Sequence, residues 1–164
     1  MAIAVGTKAP DFTLKSKQAS GVVEVKLSNN LGKKNTVVLF FPLAFTGVCT
    51  KEMCDVTAGL SQFGSLNADV IGVSVDSPFA QEAWAQKEKI TVPLLSDYEH
   101  KTASAYGVAY DSFLPQVNLG MAGVAKRSAF VIDKQGIVRY AESSDDPKQL
   151  PNFDKVKEAL NQLK

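Results

Sequence analysis

The sequence predicts an α/β fold: a central mixed β-sheet flanked by helices, with a β-hairpin at the N-terminal end. Three observations predict it. Two continuous apolar, β-branched runs, Thr36 to Phe41 and Asp69 to Val75, read as strands buried on both faces. Stretches after each run carry the spacing and start signals of helices. Late in the chain, two strand-like segments flank Asp133-Lys134-Gln135-Gly136, a hairpin turn. Parallel strands joined by helices and followed by an antiparallel hairpin give a mixed sheet with helices on both faces.

The elements follow in order. Residues 12–15 and 22–27 are short extended segments around the polar turn Ser16 to Gly21, which predicts the first hairpin. Ser28 to Asn35 is a loop rich in Asn, Gly and Lys. The strand Thr36 to Phe41 is ended by Pro42. Val48 to Phe63 has Met53, Val56, Leu60 and Phe63 at offsets of three and four, which predicts one amphipathic helix. After the strand Asp69 to Val75, Ser77-Pro78 opens a helix to about Lys89, because Ser caps and Pro suits the first turn. Val92 to Leu95 is a short strand and His100 to Tyr106 a short helix. Tyr110 to Val124 is a long loop, of a kind that is often functional or sits at an interface. Ser128 to Asp133 and Ile137 to Glu142 form the second hairpin. Phe153 to Leu163 closes the chain as a helix with Phe153, Val156, Leu160 and Leu163 on one face. There is no repeat, linker or low-complexity stretch, so residues 1–164 are expected to form one domain.

Composition narrows the function classes. The chain has 164 residues, enough for a sizeable core, and 45% hydrophobic content. Its formal charge, 18 − 17 = +1, offers no electrostatic reason to expect nucleic acid or an anionic membrane as partner. The apolar runs fall far short of the roughly 18 residues of a membrane span. The first residues do not read as a signal peptide, so a cytoplasmic location is expected. One histidine and two cysteines do not supply the roughly four ligands of a zinc site, and no metal or other cofactor is expected.

The two cysteines, Cys49 and Cys54, lie close together. Cys49 falls where a buried strand passes into a helix, at the carboxyl end of the strand, where open α/β sheets place their sites. A thiol in the first turn of a helix meets unpaired N–H groups and the positive end of the dipole, and both favour the nucleophilic thiolate. Location alone also admits a buried structural cysteine. Thr46, three residues earlier, reads as the helix N-cap.

The surrounding residues carry a resemblance. Pro42-x-x-x-Thr46-x-x-Cys49 is similar to the active-site pattern of the peroxiredoxins, thioredoxin-fold peroxidases. Gly6-Thr7-Lys8-Ala9-Pro10-Asp11-Phe12-Thr13-Leu14, Val92-Pro93-Leu94-Leu95-Ser96-Asp97, Tyr106-Gly107-Val108 and Arg127-Ser128-Ala129-Phe130-Val131-Ile132-Asp133 resemble further landmarks of that family, in the same order. The run Phe40 to Gly47 resembles the alkyl hydroperoxide reductase E class.

The resemblance implies a thioredoxin-like fold and roles that physics can justify. Cys49 attacks a peroxide oxygen. Arg127, a planar and always-charged fork, holds the sulfur and donates to the peroxide; without the resemblance it would read as a surface cation. The Thr46 hydroxyl orients a peroxide oxygen. Backbone N–H groups at Val48 and Cys49 add donors. Pro42 shields the pocket, and Glu52 fixes Arg127 or a neighbouring arginine.

Attack leaves a sulfenic acid that a second thiol must reduce. Cys54 is the only internal candidate, and Cys-x-x-x-x-Cys resembles the Q-type peroxiredoxins, which implies an intramolecular disulfide. Five helical residues rise about 7.5 Å, whereas a disulfide needs Cα atoms roughly 4.4–6.8 Å apart. The first turns of the helix would therefore have to unwind. The alternative is a one-cysteine enzyme resolved by an external thiol, or a peroxide sensor or chaperone. The implied partners are hydrogen peroxide or an alkyl hydroperoxide, a thioredoxin-, glutaredoxin- or mycothiol-type reductant, and a second copy in a homodimer. Trp84, Phe45 and Phe79 read either as pocket lining or as core and dimer contacts, and the loop Ser112 to Met121 as a pocket cover or a partner surface. His100 reads as a helix-end residue.

Overall fold

The structure is a computed structural model describing residues 1–164. Seven strands form one sheet: β1 (Thr13–Gln18), β2 (Gly21–Lys26), β3 (Asn35–Phe40), β4 (Ala68–Ser74), β5 (Leu94–Ser96), β6 (Ser128–Ile132) and β7 (Val138–Ser143). Their spatial order is β2-β1-β5-β4-β3-β6-β7. β3, β4 and β5 run parallel, while β1 and β6 join them antiparallel and bring β2 and β7 to the edges. The predicted mixed sheet is thus present, hairpins included. The helices are α1 (Gly47–Ala58), α2 (Leu60–Ser65), α3 (Pro78–Glu88), α4 (Lys101–Ala105) and α5 (Phe153–Asn161). None of them is long and apolar enough to cross a membrane.

β3 is buried along its whole length because its side chains alternate between two cores. Val37 and Leu39, with Phe41 just beyond the strand, join Met53 and Val56 of α1, Trp84 of α3 and Val156 and Leu160 of α5. Val38 and Phe40 face the other way, toward Phe12, Tyr106, Phe130 and Ile132. Each such side chain, fully buried, contributes about 1.5–3 kcal/mol. α1 lies close on the sheet because Gly72 of β4 has no side chain. A Cβ there would come within 3.3 Å of the Met53 sulfur and 2.9 Å of Leu94.

Several boundaries differ from expectation. The first hairpin is longer, with Lys15 to Gln18 paired to Gly21 through Glu24, so the turn shrinks to Ala19-Ser20. Ser16 is buried against the sheet despite its polarity, and cross-strand bonding overrides the polar reading. The single helix expected over 48–63 is two, because the chain breaks at Gly59, whose N–H turns back to Asp55 O and Val56 O. Pro93 holds the β5 pairing back to Leu94–Ser96. The loop 110–124 is partly ordered by isolated bridges Ala109↔Ala125 and Phe113↔Met121, and Phe113 and Val124 pack on Val75.

Candidate active site at the end of the third strand

The antiparallel register Phe40↔Ser128 carries the chain beyond β3 and the residue before β6 to the same end of the sheet. Cys49 arrives from one side and Arg127 from the other. After Phe41, Pro42 is buried, and the backbone N–H of Ala44 is held by the Asp76 carboxylate at 2.8 Å. Asp76 in turn accepts from the Ser74 hydroxyl at 2.7 Å. Phe45 adopts a left-handed φ of 66° and is half exposed. A bulky non-glycine residue in that region is costly and marks a constrained turn.

Thr46 occupies the N-cap position of α1, but its hydroxyl does not cap. It donates to Leu43 O at 2.7 Å, contrary to the N-cap expectation. The first intrahelical bond runs from Thr50 N to Thr46 O at 2.9 Å. The N–H groups of Gly47, Val48 and Cys49 therefore remain open at the start of α1, with no side chain upon them. The Thr46 oxygen, having spent its proton on Leu43, presents lone pairs. Thr50 repeats the backward bond, its hydroxyl donating to Thr46 O at 2.8 Å while accepting from Trp84 Nε1 at 3.1 Å.

Cys49 is 1% exposed and Arg127 2% exposed. Arg127 Nη2 donates to Cys49 Sγ at 3.1 Å. Its Nη1 is paired with Glu52 Oε2, and its Nε donates to Pro147 O at 2.9 Å. The default reading of Arg127 as a surface cation is thus wrong: it is buried, and each of its three nitrogens makes one contact. Glu52 is fully buried, and its Oε1 has no hydrogen-bond partner. Burial lifts its carboxyl to about 7, outweighing the opposing pull of Arg127. The guanidinium stays charged, its pKa raised by Glu52 and Cys49 despite its burial.

Cys54 lies about 1.4 turns further along α1, a free thiol like Cys49. Its sulfur donates to Glu88 O at 3.7 Å, and burial raises its thiol above the ordinary range. Both cysteines sit in one unbroken helix. The structure thus joins Cys49 and Glu52 through Arg127 at the start of α1, where Thr46 and Val48 also lie, buries Pro42 on the approach to that helix, and leaves Cys54 facing α3.

Other candidates fall elsewhere. Trp84 is fully buried in the core beside Phe41, which decides against pocket lining. Phe45 stacks outside it at 6.5 Å. Phe79 is exposed and lines a surface hollow of about 640 Å³ with Leu14 and Tyr98, a hollow that includes none of Pro42, Thr46, Val48, Cys49, Glu52 and Arg127. His100 sits at the start of α4 in a left-handed conformation, its ring beside Gly123. Two functional contacts escaped sequence reasoning. The Pro147 carbonyl has no side-chain signal. Asp76 had one: a lone acid at the carboxyl end of a buried strand.

The AhpC/TSA family profile matches residues 5–141. The chain is 39% identical over 140 residues to alkyl hydroperoxide reductase E of Mycobacterium tuberculosis, covering 84% of each chain. It is 35% identical over 144 residues to chloroplastic 2-Cys peroxiredoxin BAS1 of Spinacia oleracea, covering 84% of this chain and 51% of that one. The chain thus spans about half the length of the chloroplastic relative. Its fold is similar to that of the reduced 2-Cys peroxiredoxin of Plasmodium vivax, with TM-score 0.83, 28% identity, and 96% and 80% of the two chains covered.

Proposed function

Because the chain belongs to the AhpC/TSA family, the peroxiredoxins, we propose that it is a thiol-dependent peroxidase reducing hydrogen peroxide and organic hydroperoxides at Cys49. The observation that carries the reading is the Arg127 Nη2 contact to the Cys49 sulfur, 3.1 Å long and buried, beside an uncapped helix start. In the proposed step the Cys49 thiolate attacks one peroxide oxygen and the O–O bond breaks. Sulfur keeps the hydroxyl oxygen as sulfenic acid, and the other oxygen leaves as water or alcohol after taking up one proton. Negative charge spreads over sulfur and both oxygens. The two guanidinium N–H bonds not committed to Glu52, Pro147 or sulfur, and the open amides at Val48 and Cys49, are donors for that charge. Thr46, an acceptor here, can receive a peroxide O–H and set its angle. Pro42 contributes bulk without an N–H, and Glu52 braces the arginine.

The sulfenic acid then condenses with the Cys54 thiol, forming the S–S bond and releasing water. A thioredoxin- or glutaredoxin-type dithiol reduces that disulfide by exchange, with a mycothiol-type thiol as the third candidate class. The setting proposed for this cycle is the reducing cytoplasm. The unit proposed to do this is all of residues 1–164 as one domain, since every strand joins one sheet. A homodimer is proposed with it, through the apolar side chains left outside: Phe45, Phe79, Val117, Leu119 and Met121.

The test is oxidation with one equivalent of peroxide, read by intact mass on wild type, Cys49→Ser and Cys54→Ser. Wild type is expected to lose two hydrogens, Cys54→Ser to gain one oxygen, and Cys49→Ser to stay unchanged. An unreactive wild type, or a reactive Cys49→Ser, refutes the reading. The intact helix and the raised Cys54 thiol favour a second one, resolution by an external thiol. Persistent sulfenic acid in wild type would select it. Peroxide turnover with a regenerating thiol separates an enzyme from a single-turnover sensor. Light scattering at micromolar concentration tests the dimer.

A further inference from the structure

We propose that Tyr110 and Lys126 are positioning residues for Arg127, acting through the strap of residues 144–150 that follows β7. The inference rests on Arg127 acting upon the Cys49 sulfur. A guanidinium is planar, so two fixed contacts settle where its third nitrogen points. One is the fully buried Glu52 carboxylate on Nη1. The other is the Pro147 carbonyl, 2.9 Å from Nε, on a partly exposed strap. Nη2, the group on sulfur, is therefore aimed only as well as that strap is held.

Within the strap, Lys148 N bonds the Asp146 carboxylate at 2.9 Å and Gln149 N bonds Asp146 O at 3.1 Å, which shapes the turn but does not place it. Ser144 N places its start, donating to the backbone of Arg127 itself at 3.1 Å. The attachments nearest Pro147 from outside the strap converge on Asp145. The Tyr110 hydroxyl donates to Asp145 O at 2.7 Å, and Lys126 Nζ pairs with the Asp145 carboxylate at 2.7 Å. Lys126 also sits over the Tyr110 ring at 5.7 Å, so the two tethers brace each other. The Tyr110 ring packs on Phe113 at 5.1 Å, which gives it a place in the loop core whether or not it carries a hydroxyl. The phenolic oxygen itself adds little to that packing. Its one visible task is to hold the strap. A chain of contacts thus leads from the long loop to the sulfur: Tyr110, Asp145, Pro147, Arg127, Cys49.

The experiment uses the full chain with Cys54→Ser, so that Cys49 is the only thiol. Rates of Cys49 alkylation by iodoacetamide and of its oxidation by hydrogen peroxide are measured for the parent, Tyr110→Phe, Lys126→Gln and Lys126→Arg. Each is repeated with Arg127→Gln, and thermal midpoints are recorded. Tyr110→Phe and Lys126→Gln are expected to slow both reactions roughly threefold to tenfold with the midpoint little changed, as loss of one tether implies. Lys126→Arg should restore the rate, because it keeps the ion pair. With Arg127→Gln present, the same substitutions should do nothing further, since coupling through Arg127 is then already lost. Rates equal to the parent, or slowing that persists without Arg127, overturn the proposal. A parent unreactive toward peroxide would defeat the peroxidase reading alone. Alkylation would still decide the coupling: slowing that vanishes without Arg127 supports it, and unchanged rates overturn it.

Discussion

Helices α1 and α5 pack into the same core on the same face of the sheet, yet they begin in opposite ways. α5 is closed: Asn152 accepts from Lys155 N at 3.1 Å, and Asp154 lies in its first turn. α1 is open: Thr46 has an equally suitable side chain, turned back onto Leu43 O. The position that a capping box fills with Glu or Gln, third in the helix, is Cys49. The sulfur thus stands where an acid would, and a buried guanidinium adds its charge to the positive helix end. The difference teaches that cap identity does not settle whether a helix terminus is structural or available for chemistry. The direction of one hydroxyl does.

Substitutions can break or sharpen that contrast. Arg127→Gln should affect the open end most, slowing peroxide oxidation of Cys49 by about 10²–10³, the usual cost of a lost charge-stabilising donor. Arg127→Lys should recover little, because a point charge cannot serve Glu52, Pro147 and sulfur together. Stopped-flow oxidation at fixed pH measures both.

Glu52→Gln should show next, in stability against pH. The folded carboxyl sits near 7, above its unfolded value, so the folded state binds the extra proton. Its stabilising contribution is complete below the unfolded pKa and fades as pH rises through about 7. Wild type should therefore lose stability relative to Glu52→Gln over that window, by at most roughly 3–4 kcal/mol. Urea unfolding of the pair at several pH values checks this, and a difference that grows the other way contradicts it.

Thr46→Val keeps shape and removes the hydroxyl. It should slow peroxide oxidation roughly fivefold to tenfold while leaving the unfolding midpoint nearly unmoved, because the lost bond is local and exposed. Asn152→Ala should do the reverse at the closed end. It should cost about 1 kcal/mol of stability without changing the oxidation rate. Equal effects of these two on stability would erase the contrast between the helices.

Sequence carried the scaffold well where periodicity was strong. The buried runs of β3 and β4, the Ser77-Pro78 start of α3 and the apolar face of α5 follow from residue type and spacing. Cys49 was legible because strand, Pro and helix adjoin it. Burial of Arg127 was not, since the strand register that brings it to Cys49 is long-range. The Gly59 break was hidden because Leu60 and Phe63 continue the helical spacing across it. Cys54 had a legible spacing but not a legible direction, and its bond to Glu88 O depends on how α3 packs. The orphaned Glu52 oxygen and the Pro147 carbonyl belong to tertiary structure alone.

The hydrogen bond from Trp84 to Thr50 has an optical consequence. Trp84 is the sole tryptophan of the chain, and its indole N–H reaches a hydroxyl that itself bonds back to Thr46 O in the first turn of α1. Joining Cys49 to Cys54 would unwind the turns that carry Thr50, so the indole would lose its partner and meet water. Its emission should shift to longer wavelength on oxidation and return on reduction. The protein would thus display the winding of its reactive helix as a colour change, readable without any added label.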